Sequence, residues 1–429
     1  MPFVNDVLTA ATASPQATLA AVVFVVTFVY LAQSLIAPFL GKTAVPQKSG
    51  AKTAASTPSL SSTLSPGELV GYDSMGPIEP LAGLDYTTVR PERIYKFADR
   101  YNLTMGLRKT TVNTITRIDQ QYVERIGERK KILDQYPGAL GCIPSGEAMV
   151  RDFYTFLVTH YLPKRYPTVF VLCEGPEGLS QEKANKTGEK TEKKTLHNRV
   201  LDEHLPCEPP TDILEALRII ALTVDEDFLM LQPDADGDGY ALTAFVWLYP
   251  VGFDPADKLG IKLRDAHGPV PGYKQHLQKS MERYFGRLGP GSVVDRINWA
   301  VATNASLCER GEYHLYEGDG QKESDEDLQR DVDLDDTWVR CELQTLFALP
   351  RHDARILSVH LYLYPIREIK QVGLAEVMER AIDGYGKGNV PGFARYKRIP
   401  VWGEAVKRYL RSDEDLPDGA EKARGGASE

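Results

Sequence analysis

The chain has 429 residues, of which 42% are hydrophobic and 25% charged, with 35 Gly and 28 Pro. These proportions exclude wholesale disorder and collagen-like repeats, and five scattered cysteines form neither a disulfide framework nor a metal knuckle. With 50 basic against 59 acidic side chains the net charge is −9, which excludes nucleic acid as the main partner.

In chain order, residues 1–16 form a short leading segment. Residues 17–40 read ATLAAVVFVVTFVYLAQSLIAPFL, inside a stretch from Val7 to Gly41 without a charge. About 20 apolar residues suffice to cross a lipid bilayer, so this segment is predicted to be a single transmembrane helix. A cleaved signal peptide fits less well, because no Lys or Arg precedes residue 42. Asp6 lies ahead of the segment, and Lys42, Lys48 and Lys52 lie behind it. Cations on the C-terminal side predict a single-pass membrane protein, N-terminus outside or lumenal and C-terminal domain cytosolic. The endoplasmic reticulum is a host membrane that fits. Residues 41–80, rich in Ala, Ser, Thr and Pro, read as a flexible linker.

Residues 81–411 carry the periodicities of one folded body. Helical spacing runs over 119–136, 146–162, 212–224 (with Thr211 as its cap), 273–288 and 371–385. Strand patterns occupy 240–249, 293–303, 337–349 and 355–364. Helices and strands alternate without a βαβ rhythm, which predicts an α+β fold with an antiparallel sheet. Two insertions interrupt the body, at 174–210 and 317–336. The second holds ten acidic residues against Lys322 and Arg330 and reads as a solvated loop. Residues 412–429 read as a disordered tail.

Asp234-Ala-Asp-Gly-Asp-Gly has the opening of a calcium loop. Its twelfth position is Phe245 rather than a bidentate Glu, so a hairpin turn is the better account. No Gly-rich dinucleotide fingerprint, Walker loop, nucleophile elbow or cluster of four close cysteines is present. Any redox chemistry would therefore draw its electrons from another protein. His267 stands in Asp-Ala-His-Gly-Pro-Val-Pro-Gly-Tyr, where two prolines stiffen the loop. A stiff loop can hold an imidazole in the single orientation that a metal or haem needs. On the strands, period-two spacing groups Arg296 with Asn298, then Arg340 with Glu342 and Gln344, then Ser358 with His360 and Tyr362. These rows line a pocket or form the wet side of an ordinary half-buried sheet.

Six segments then occur in a familiar order: Val224-Asp-Glu-Asp-Phe-Leu-Met-Leu, Tyr249-Pro-Val-Gly-Phe, Lys258-Leu-Gly, His267-Gly-Pro-Val-Pro, Arg296-Ile-Asn-Trp and Arg340-Cys-Glu-Leu-Gln-Thr-Leu. Over about residues 80–390 the chain resembles the alpha subunit of the haem-dependent oxidative N-demethylases and its membrane-anchored fungal relatives. The resemblance implies a PAS-like antiparallel sheet with flanking helices, here preceded by the transmembrane helix, that binds haem b. It implies O₂ activation, removal of a methyl group from a small amine and release of formaldehyde. Electrons would come from NADPH through a separate flavin/iron–sulfur reductase. The implied partners are that reductase, the amine, and the lipid bilayer through residues 17–40, with no nucleic acid. His267 is the leading axial ligand of the haem iron and His360 the second choice. Arg296 and Arg340 suit the propionates, and Asn298 adds a polar cofactor contact. Glu342, with Arg340 beside it, is the catalytic candidate, attracting a substrate ammonium or relaying protons. The chain departs from the bacterial pattern at Phe253, near which that pattern has Trp, and near Leu343 and His360, where it has Arg. A non-catalytic haem- or small-ligand-binding PAS-like sensor or carrier is the alternative reading.

Overall fold

Alternation of apolar and polar residues between 293 and 364 produces the long strands that position everything else. The structure, a computed structural model, describes residues 71–174, 194–310, 313–315 and 332–413. The chain divides into two units, Met1–Pro66 and Gly67–Glu429, and all described residues belong to the second. Among them, the strands are β1 (Arg108–Thr110), β2 (Leu140–Cys142), β3 (Phe170–Cys173), β4 (Thr195–Asn198), β5 (Glu203–Pro206), β6 (Asp227–Pro233), β7 (Tyr240–Val246), β8 (Val293–Ala302), β9 (Trp338–Ala348) and β10 (Arg355–Pro365). Seven of them form one antiparallel sheet in the order β1-β8-β9-β10-β6-β7-β2, and β3-β4-β5 form a second, small one.

Register decides which side chains share a face. Asn298 pairs with Glu342 and Arg296 with Gln344, so the polar rows of β8 and β9 lie side by side. In the β9–β10 ladder Gln344 pairs with Val359 and Leu343 with His360. The row Ser358, His360, Tyr362 therefore lies on the opposite face, where a one-residue offset always sends it.

That opposite face is covered in part by the helices Tyr122–Gln135, Glu147–Thr155 and Ile213–Thr223. Phe153, Phe228, Ile220 and Ile356 pack there in one apolar cluster. Asp212 caps the third helix by accepting from Leu214 N–H at 2.9 Å, so the cap lies one residue after the expected Thr211. The expected helix 273–288 is two pieces, Tyr273–His276 and Gln278–Phe285, broken at Leu277. The expected helix 371–385 is Ala375–Gly384, and a separate helix, Ile366–Gln371, precedes it across Gly373 in the left-handed region. The insertion 174–210 contains β4 and β5; residues 175–193 and 316–331 lie outside the described residues.

β1 covers only the first three residues of β8. Farther along that edge, Tyr385 Oη and Lys397 Nζ both donate to the Trp299 carbonyl at 3.3 Å, satisfying backbone that a strand would otherwise take. The segment containing Tyr101 and Leu103 is pressed against this region. Tyr101 N–H donates to Gly384 at 3.0 Å, and Leu103 N–H to Asn389 Oδ1 at 2.7 Å. A methyl group at Gly388 would overlap the Tyr101 carbonyl, which is why the backbones can meet there.

The start of β6 is locked by charge. Arg129, 0% exposed, donates to the carbonyls of Ala221, Asp225 and Glu226 and to Asp227 Oδ1 at 2.7–3.2 Å. Arg125 pairs with Asp225 at 2.9 Å, and both guanidinium groups lie over the Tyr249 ring.

The expected fold class needs correction. What stands is a mixed helix and sheet fold with antiparallel sheets. No helix among the described residues is long and apolar enough to cross a membrane. The longest uninterrupted α-helix, Tyr122–Gln135, has 14 residues and at 1.5 Å per residue reaches about 21 Å, short of a hydrocarbon core of about 30 Å. It also carries charge along its length. Residues 17–40 lie outside the described residues. The transmembrane helix, and with it the single-pass topology with a lumenal N-terminus and cytosolic domain, is withdrawn.

Candidate functional site

Where the polar rows of β8 and β9 meet, a cavity of about 350 Å³ opens. Arg296, Asn298, Arg340, Glu342 and Gln344 reach it from the sheet, among apolar walls that include Leu229, Leu357, Trp247 and Phe253.

His267 also lines it, at the end of the short helix Leu263–Ala266. Its Nδ1 lies 2.8 Å from the Leu263 carbonyl oxygen. A carbonyl only accepts, so Nδ1 carries the proton and Nε2 keeps the lone pair. Burial pushes this imidazole down from its ordinary pKa; the Leu263 carbonyl opposes the shift, while the Arg296 and Lys258 cations add to it. The ring is neutral. It stacks on Tyr273, with centroids 5.0 Å apart and planes 18° apart. Beyond it, Pro269 and Pro271 fix φ, and Gly272 adopts a φ of 71°, where a β-carbon would collide with Val390. The stiff loop expected from the prolines is thus closed off at its far end as well.

Glu342 is held by two amides. Gln344 Nε2 donates to its Oε2 at 2.8 Å and Asn298 Nδ2 to the same oxygen at 3.3 Å. Asn298 Oδ1 in turn accepts from Lys397 Nζ at 3.2 Å, which fixes the amide's orientation. Lys397 is buried, and burial pushes its ammonium down to about 8; Glu342 pulls the other way and Arg296 adds to the fall. Nothing in its sequence neighbourhood singles Lys397 out, since its partner Asn298 is 99 residues away. His314 was likewise not foreseen. It lines the cavity, stacks on Tyr396 with centroids 4.2 Å apart, and is pushed down to about 3, by burial first and then by Lys397.

Each of the two arginines keeps one unused donor. Arg340 is buried with Nη1 on the Leu307 carbonyl at 3.0 Å and Nη2 on the Tyr249 carbonyl at 2.9 Å. Its fork fastens two loops to the sheet. Arg296 and Arg340 each keep a buried Nε without a hydrogen-bond partner, donors that an anionic group would satisfy.

Five of the six expected site residues, Glu342, Arg340, His267, Arg296 and Asn298, therefore line one cavity. His360 does not. It lies on the other face, with Nδ1 2.9 Å from Glu226 Oε1 and Nε2 3.8 Å from Asp225, in the buried charge cluster. The aspartates of the turn 234–239 are neutralised as well: Lys262 pairs with Asp234 and Asp236, and Arg264 with Asp238. Among the described residues no group of three or more His, Cys, Asp or Glu is arranged to hold a bare metal ion.

The lowered ammonium of Lys397 has a consequence for stability. Below pH 8 it is charged in both the folded and unfolded states, and folding bears the full cost of burying it. Between about pH 8 and 10.5 the folded state releases its proton first, so stability rises with pH; above 10.5 the gain is complete. Lys397→Met should lack this rise. In urea titrations the stability of the wild type minus that of the variant should grow by about 3 kcal/mol from pH 7 to 10.5, at 1.36 kcal/mol per pKa unit. A difference independent of pH would contradict the placement of a buried ammonium here.

Taken together, the cavity offers the neutral imidazoles of His267 and His314, the unsatisfied Nε donors of Arg296 and Arg340, one oriented carboxylate and one buried amine. A family model described as haem-dependent oxidative N-demethylase, alpha subunit-like, matches residues 106–407 of the chain.

Proposed function

We propose, for a chain that belongs to the haem-dependent oxidative N-demethylase alpha subunit-like family, that its cavity holds haem b and removes a methyl group from a small amine, releasing formaldehyde. The observation that carries this reading is the state of His267: neutral, locked by the Leu263 carbonyl, with Nε2 left to bind iron. The donor set fits haem in two further respects. The orphaned Nε of Arg296 suits a propionate, and the leucine-rich walls suit the porphyrin rim. When bound, haem supplies the iron at which O₂ is activated.

The chain's own residues do the rest. Glu342 attracts the substrate ammonium. Because Asn298 and Gln344 both occupy Oε2, the other carboxylate oxygen is the one offered to the ligand. The two amides keep the carboxylate from rotating, so the amine is held in one place before reaction. Lys397 holds a proton next to Asn298 and can release it near neutral pH. Apolar walls exclude water from the methyl group. Electrons come from NADPH through a separate flavin/iron–sulfur reductase.

Glu342→Gln removes the charge while keeping the shape. A hydrogen bond to a charged group contributes about 1.5–3 kcal/mol, so KM for the amine should rise about 10- to 100-fold with haem content unchanged. An unchanged KM would assign Glu342 a structural role only.

The reading is tested by turnover. Haem-loaded protein supplied with an N-methylated secondary amine, O₂, NADPH and a flavin/iron–sulfur reductase should release formaldehyde and the demethylated amine in equal amounts. Loaded, reducible protein that releases none with any such amine would overturn it.

A further inference from the structure

A line of aromatic rings leaves the cavity around the unpaired edge of β8. Tyr101 lines the cavity and stacks on Tyr385 with centroids 4.6 Å apart. Tyr385 meets Trp299 at 5.3 Å, Trp299 meets Phe97 at 5.0 Å, and Phe97 stacks on Tyr95 at 5.5 Å with only 12° between planes. Each step lies within the usual range of aromatic contact. The line has a clear direction. Trp299 and Tyr385 are buried, whereas Phe97 and Tyr95 are partly exposed, so the rings connect the cavity to solvent.

Its chemistry is as ordered as its geometry. Tyrosine and tryptophan are the side chains that most readily lose one electron, and four of the five rings are of these types; Phe97 is the bridge between Trp299 and Tyr95. Oxidising a phenol also requires somewhere for its proton to go. Tyr95 Oη is buried and has no hydrogen-bond partner among the described residues; the Glu368 carboxylate, paired with Arg93 Nε at 2.8 Å, is the acidic group that acts on it. Burial first, then Glu368, keeps this phenol above its ordinary pKa and therefore protonated at rest.

We propose that Tyr101, Tyr385, Trp299, Phe97 and Tyr95 form a one-electron conduit that discharges an oxidant in the cavity when no amine is present to consume it. This rests on the haem reading of the same cavity. Tyr95 loses one electron inward along the rings and its phenolic proton to Glu368, becoming a neutral tyrosyl. An external one-electron donor then returns the electron and Glu368 returns the proton, while the donor's own proton goes to solvent, which supplies the cavity. With hydrogen peroxide as oxidant and ascorbate as donor, each peroxide takes up two electrons and two protons and leaves as two waters, while two ascorbates become two ascorbyl radicals. The device would spare the cavity's own side chains from oxidation.

The test uses the full chain loaded with haem, mixed with hydrogen peroxide in the absence of amine and frozen within the first turnover. Electron paramagnetic resonance should show an organic radical with tyrosyl character. Tyr95→Phe should abolish the tyrosyl signal and shift spin to tryptophan, with the Soret band intact. Trp299→Phe should lower the rate of peroxide-driven ascorbate oxidation, and so should Tyr95→Phe, a change near the surface that guards against misfolding of the buried variant. If the wild type binds no haem, the haem reading fails and the conduit with it. If haem binds normally but radical identity and ascorbate oxidation are unchanged in both variants, the conduit is wrong and the haem reading survives.

Discussion

His267→Gly should abolish the Soret band that the wild-type protein acquires with haem, and millimolar imidazole should restore it. The His267 imidazole has its Nε2 lone pair already fixed in direction by the Nδ1 contact with the Leu263 carbonyl. Losing a partner of a ligand costs about 10- to 100-fold in metal affinity; losing the ligand itself should exceed that. Folding should be little changed. His267 contributes one hydrogen bond to Leu263 and one stack on Tyr273, both at a cavity wall, and neither supports the main sheet. A circular dichroism spectrum and Tm close to wild type would show this. Full haem binding by the variant would remove His267 from the site. His360→Ala should leave the Soret band in place, because its ring is committed to Glu226 on the far face.

Arg129→Met should be among the most destabilising single changes in the described part of the chain. The guanidinium supplies donors to three backbone carbonyls and one carboxylate, all buried. Met replaces the apolar stem and none of the donors. Asp227 keeps the Leu248 and Tyr249 N–H groups at 3.0 and 2.8 Å but loses its countercharge. Removing one partner of a buried pair typically costs 3–5 kcal/mol, because the other charge stays behind. Burial of the added thioether offsets little of this, since the aliphatic stem was already buried. The urea midpoint should fall by the corresponding amount. A loss below about 1 kcal/mol would mean that Asp227 takes up a proton or reaches water in the variant.

The long strands were legible because their signal is local. Period two over β8, β9 and β10 is written in consecutive residues, and their ends fall within one or two residues of expectation. The rows Arg296 with Asn298 and Arg340 with Glu342 were right for the same reason. What failed was non-local. Whether His360 shares the cavity depends on how β10 registers against β9, and nothing within either strand states this. Lys397 was invisible because a lysine just ahead of the amphipathic helix Ile399–Arg411 looks like surface until Asn298 is brought to it. The Asp/Gly-rich turn closes the β6–β7 hairpin as expected, while Lys262 and Arg264, which pair with its aspartates, lie outside the turn itself. The small sheet was missed where a Lys/Glu-rich run hid two four-residue strands. The withdrawn membrane helix shows the reverse case: a strong compositional signal in residues 17–40, which lie outside the described residues.

The account stands on the cavity being a haem site organised by His267. The most direct measurement is a haem titration of the purified wild-type protein, followed by absorption. The account predicts a Soret band that saturates at one equivalent per chain. Absorbance rising in proportion to added haem with the spectrum of the free cofactor, and no saturation, would contradict it.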